Sequence, residues 1–196
     1  MRWDRLFDDL ESQLGHEQQE EERTLALESE RLRIGRLGLR ERLSAMSAPG
    51  DVDGAVRIEL VGGSVVQVRP AAFGRDWLSG RLGDAARDTQ CVVPITAIAA
   101  VLPGRHQLES GLVPQPESAA RLAERIGLAF VLRDLARRRL GVEVTTLDGR
   151  HHGTIDRVAR DHLDLALHEP GGMRRERDVR GYRVVPFERL VLVSFR

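Results

Sequence analysis

Four histidines crowd the C-terminal part of the chain, at positions His151, His152, His162 and His168. With Asp161 and Asp164 nearby, they offer the imidazole and carboxylate groups that bind transition metals. Their spacing works against such a site. Adjacent histidines on a strand point to opposite faces, and this half of the chain contains no cysteine. They read as surface or loop histidines, and no metal is expected. Cys91 is the single cysteine, which excludes an internal disulfide and a thiolate metal site. It opens an apolar stretch, where a free cysteine behaves as a small buried hydrophobe rather than a nucleophile. Asp76 and Asp161 recur in similar surroundings, which suits a turn-forming role better than acid–base chemistry. A glycine-rich phosphate loop, a nucleophile elbow and paired catalytic carboxylates are all missing from the sequence. No catalytic residue and no cofactor are expected.

Binding chemistry has two candidates. The segment HEPGGMRRERDVRGYR, His168 to Arg183, gathers Arg174, Arg175, Arg177, Arg180 and Arg183 with the lone tyrosine, Tyr182. Arginines and an aromatic on a loop can grip phosphate and stack a base. Glu176 and Asp178 cancel part of that charge, so the competing reading is a solvated hairpin. The second candidate is the stripe Trp3, Phe7, Leu10 and Leu14, whose 4-3-4 spacing puts one apolar face on a helix. Leu25, Leu32, Leu39 and Met46 continue at intervals of seven, as in a short coiled coil, after an acidic run from Glu17 to Glu22. This arm is the expected protein interface, to a partner or to another copy; the competing reading is an amphipathic helix folded against the body of the same chain.

Charge sets the outer bound on partners. Thirty basic and 30 acidic residues cancel, so no global field attracts nucleic acid or an anionic membrane. All the basic residues are arginine, and both Lys and Asn are absent, which fits the codon bias of a GC-rich genome. The start, MRWDRLFDDLE, is acidic where a signal peptide is basic, and the apolar run Cys91 to Pro103 is too short to span a bilayer. A cytoplasmic location without membrane contact is expected.

The elements that must position these groups occur twice. Arg125-Ile126-Gly127 echoes Arg33-Ile34-Gly35, and Arg160-Asp161-His162-Leu163 echoes Arg75-Asp76-Trp77-Leu78. VVPFERLVLV, Val184 to Val193, echoes VVPITAIAAV, Val92 to Val101, at a separation of 92 residues. The repeat predicts one supersecondary unit used twice. A helical arm is expected over 1–46 and a Pro/Gly/Asp linker over Ser47 to Gly54. A first five-stranded unit follows over 51–103 and a second linker over 104–117. A buried connecting helix over 118–140, capped by Ser118 and ended by Gly141 in the left-handed region, leads to the second unit over 141–196. Gly62-Gly63 and Asp148-Gly149 supply the first hairpin turn of each unit.

The segment DGRHHGTIDRVARDHLDLAL resembles the first signature of Sm-like proteins, the superfamily that includes bacterial Hfq. The matching residues are Gly149, Gly153, Ile155, Val158, Asp161, Leu163, Leu165 and Leu167. The resemblance implies an α+β fold: an N-terminal amphipathic helix and two tandem five-stranded small β-barrels, each preceded by a helix. It also implies RNA binding, but the residues depart from the family at that point. Asp164 stands near the end of the signature, where the family typically has Asn, and a carboxylate repels phosphate. Val93-Pro94 and Val185-Pro186 replace the Arg-Gly or Lys-His of the family's second signature. Each proline beside a final strand also removes a backbone donor, which argues against pairing along that edge. The sequence therefore reads first as a non-enzymatic adaptor that assembles with a protein partner or itself. An RNA- or DNA-binding regulator is the alternative, and an unrecognised enzyme the remaining one.

Overall fold

A computed structural model describes residues 2–47, 54–83, 88–114, 125–171 and 174–196, without the side chains of residues 2–17. The chain divides into two compact units, Met1–Leu39 and Arg40–Arg196. The first is dominated by α1 (Arg2–Arg36), which two residues separate from α2 (Leu39–Met46). The interruption falls inside the Leu25–Met46 heptad run, so that run is not one continuous helix. In the second unit, Gly104 opens a short helix α3 (Arg105–Ser110) within the segment expected as a linker. The connecting helix, α4, covers Leu128–Arg137 rather than the whole of 118–140. Its expected cap, Ser118, lies outside the described residues. The residue in the left-handed region is Arg139, at φ 52°, while Gly141 begins the next strand. The chain thus turns back two residues sooner than the glycine suggested.

Among the described residues, ten strands form one antiparallel sheet. The first five are β1 (Val56–Leu60), β2 (Val65–Phe73), β3 (Trp77–Leu82), β4 (Gln90–Pro94) and β5 (Ile98–Val101). The second five are β6 (Gly141–Thr146), β7 (Gly149–Val158), β8 (His162–Leu167), β9 (Gly181–Pro186) and β10 (Leu190–Phe195). Their spatial order is β5-β1-β2-β3-β4-β10-β6-β7-β8-β9. Each half is therefore the same five-strand meander with its last strand returned beside its first. Alternation explains the individual strands: in β1, Val56, Ile58 and Leu60 are buried and Arg57 is exposed.

The registers match residue for residue. Trp77 faces Pro94 as His162 faces Pro186, and Leu78 faces Val93 as Leu163 faces Val185. Even the irregularities are copied. A register shift between Pro70 and Ala72 recurs between Ile155 and Arg157, and the one that skips Ala99 recurs at Val191. Bulges bend a strand and fix its pairing. Their duplication shows that a whole unit was copied.

The expected closure into two barrels does not occur. The sheet is a single open one, because β4 pairs with β10 of the other half and so cannot close its own. There Val193 faces Val92, Ser194 faces Cys91 and Phe195 faces Gln90. Pro94 does not prevent this pairing, since it lies beyond the paired residues at the end of β4. The two cores are correspondingly interlocked. Trp77 and Val92 of the first half pack with Leu132, Val144, Leu163 and Val193 of the second. Val191 and Leu192 pack with Ile58, Val68, Leu78 and Val93 of the first. Among the described residues, no helix is long and apolar enough to cross a membrane.

Candidate functional site

The loop between β8 and β9 is pinned at both ends. Arg180 N–H donates to the Leu167 carbonyl at 2.8 Å, and His168 is buried, its Nε2 sharing a hydrogen bond of 2.8 Å with Thr154 Oγ1. Arg174 folds back onto β7, where its guanidinium donates to Asp156 at 2.6 Å. That hydrogen bond, ahead of the attraction between the charges, raises the Arg174 pKa. Arg180 pairs with Glu169, and Arg177 lies 3.8 Å from Asp178 in a short turn, Glu176–Asp178. Three of the five arginines thus have carboxylates beside them. Arg175 precedes the short turn, while Tyr182, Arg183 and Val184 lie exposed along β9. The loop brings its arginines toward acids of the same chain, and it carries an apolar, aromatic edge strand.

The four histidines do not gather at one point. His162 opens β8 and is half-exposed, with its Nδ1 2.7 Å from Asp161. His152 and His168 approach ring to ring, with centroids 5.4 Å apart. Burial, followed by the Arg183 charge, lowers the His151 pKa. Among the described residues, no three His, Cys, Asp or Glu side chains come together as a metal site. Burial pushes the Cys91 thiol up to about 12, which leaves it a core side chain rather than a thiolate.

Asp76 has a role that its own neighbours in sequence do not reveal. Its carboxylate accepts a 2.8 Å hydrogen bond from the backbone N–H of Leu128, the first residue of α4. Beside it, Trp77 Nε1 donates to the Ile126 carbonyl at 2.9 Å, and Arg75 N–H donates to the same carbonyl at 3.0 Å. The β2–β3 turn of the first half thereby holds the start of the helix belonging to the second. Repetition of Asp76 as Asp161 is the available signal, but from sequence alone it points only to local turn chemistry.

Trp3, Phe7, Leu10 and Leu14 fall within α1, and their side chains lie outside the described residues. Further along α1, Leu25, Leu27 and Leu32 are exposed. Among the described residues, the exposed apolar residues of α1 and the outer strand β9 with the loop leading into it are candidate surfaces for interaction. The chain matches no protein-family model and no curated protein.

Proposed function

We propose that the chain is a non-enzymatic assembly protein whose long helix binds a protein partner or another copy. The carrying observation is α1 itself: 35 residues in a compact unit of its own, with Leu25, Leu27 and Leu32 exposed. A helix with uncovered leucines gains by burying them against another helix, at roughly 25 cal/mol for each Å² of apolar surface removed from water. Deleting residues 1–32 is expected to leave the ten-stranded sheet folded while reducing association. Circular dichroism follows the first property, and light scattering at several protein concentrations the second. An insoluble truncated chain, or unchanged association, defeats the reading.

A second reading, RNA or DNA binding through the 168–183 loop, is supported by Tyr182, which is exposed on β9 next to Arg183. An aromatic beside a cation suits base stacking and phosphate contact. Ion pairing at Arg174, Arg177 and Arg180 favours the protein-assembly reading over it.

A further inference from the structure

We propose that the sheet continues from one molecule to the next, with β9 of one chain pairing antiparallel to β5 of a second copy. This goes beyond the helical arm, since it concerns the sheet and does not depend on α1.

The argument begins at the junction inside the chain. There the fourth strand of the first half, β4, pairs with the fifth strand of the second, β10. The strands left at the two ends of the sheet are β5 and β9, which are a fifth and a fourth strand of the same repeat. Each chain therefore ends in the two complementary halves of a junction that it already makes once. Shifting the internal register by the repeat length of 92 places Val101 opposite Val184, Leu102 opposite Arg183 and Pro103 opposite Tyr182.

Burial supports this correspondence position by position. Val92, inside the junction, is 1% exposed, whereas its counterpart Val184 is 66% exposed. Cys91, Val92, Val93 and Pro94 are all buried in β4, but of Arg183, Val184, Val185 and Pro186 only Val185 is buried. Leu190 to Val193 are all buried in β10, and no residue of β5 is. An open apolar edge strand is a template for another strand. A second copy is the partner for which a matching strand and register are already present. Because the contact joins two different surfaces, it leaves a free edge at each end and propagates into a ring or a filament.

The outer junction is the weaker copy. Pro103, without an N–H, replaces Phe195, and Ala99 and Ala100 replace Val191 and Leu192. Arg183 also stands where the first half has Cys91. The association is therefore reversible and depends on concentration.

Cysteine crosslinking of the full-length chain tests the register. Residues directly opposite on antiparallel strands have Cβ atoms about 4.5–5.5 Å apart, within reach of a disulfide. Oxidised Val101→Cys/Val184→Cys protein is expected to run as a ladder of multimers on a non-reducing gel, and to collapse to one band on reduction. Each single variant alone gives no crosslink, because buried Cys91 is shielded. An equimolar mixture of the two gives only a two-chain band. Val101→Cys/Arg183→Cys, one residue out of register and on the opposite face, gives no ladder. Absence of a ladder in the matched pair overturns the proposal, as does an equal ladder in the mismatched pair. A dimer of Val184→Cys alone, which means β9 against β9, overturns it as well.

Discussion

At the residue scale, His152 is a group whose ionisation opposes folding. Burial comes first in lowering its pKa, and the charge of His168, 5.4 Å away ring to ring, adds to it. A folded-state pKa below the ordinary imidazole value of about 6.5 means that the unfolded chain binds the extra proton more readily. The contribution of His152 to stability is then present above that unfolded value and is lost as pH falls through the folded one. The melting temperature is expected to drop between pH 7 and pH 5 (about the titration range of imidazole), and His152→Gln to flatten that slope. A slope unchanged by the substitution assigns the effect elsewhere. Gly153 shows the other kind of constraint, which is steric. A Cβ there would stand 2.2 Å from the Ala166 carbonyl oxygen on the neighbouring strand, a backbone atom that cannot rotate away. Gly153→Ala should cost about 1–3 kcal/mol, the usual range for overpacking, measured as a shift in the denaturation midpoint. The sequence singled out Gly153 only as a match to the Sm-like signature. It could not distinguish the roles of the histidines, because those depend on which strand faces which.

At the element scale, the strands and hairpins were legible because their signals are local. Val56, Ile58 and Leu60 alternate with polar residues, Gly62 and Gly63 carry positive φ in the turn, and Thr146 pairs with Gly149 around the Asp148 turn. The repeat was legible too, and its copied bulges confirm that the two halves are equivalent. What each half does with its last two strands was not legible. Whether β4 pairs with β5 or β10 depends on contacts about a hundred residues apart, and either partner offers the same apolar alternation. The start of α4 was missed for a similar reason, since its capping group comes from Asp76, 52 residues earlier. Capping side chains remain worth about 0.5–2 kcal/mol, because the first N–H groups of a helix have no partner within it. Asp76→Ala is expected to destabilise the protein by that amount and to speed amide exchange at Leu128. Asp161→Ala, at the equivalent but exposed position, should cost less. Equal costs at the two positions refute the assignment of Asp76 as the cap of α4.

At the scale of the whole molecule, equal numbers of acidic and basic residues leave contacts rather than a long-range field to decide what binds. The two readings of this surface therefore differ in their response to salt. Pairing of β9 with β5 rests on backbone hydrogen bonds and on residues such as Val101 and Val184, so the crosslinked ladder should persist at high ionic strength. Contact with nucleic acid rests on arginine and phosphate, and falls with salt by a log–log slope of about −0.7 for each phosphate neutralised on a single strand. Arg174, Arg177 and Arg180 are already engaged with Asp156, Asp178 and Glu169. Arg175 and Arg183 are the loop arginines without a carboxylate partner among the described residues. Fluorescence anisotropy on short single-stranded RNA and DNA is expected to show weak binding, with a slope no steeper than about −1.4, the value for two engaged arginines. A slope near −3.5, for all five, requires the loop to break its internal pairs and selects the nucleic-acid reading. In that case Tyr182→Ala should weaken binding by about 1–3 kcal/mol, as the loss of one stacked base does. The same substitution lies opposite Pro103 in the strand-pairing register, away from the Val101–Val184 contact, and should leave the ladder in place.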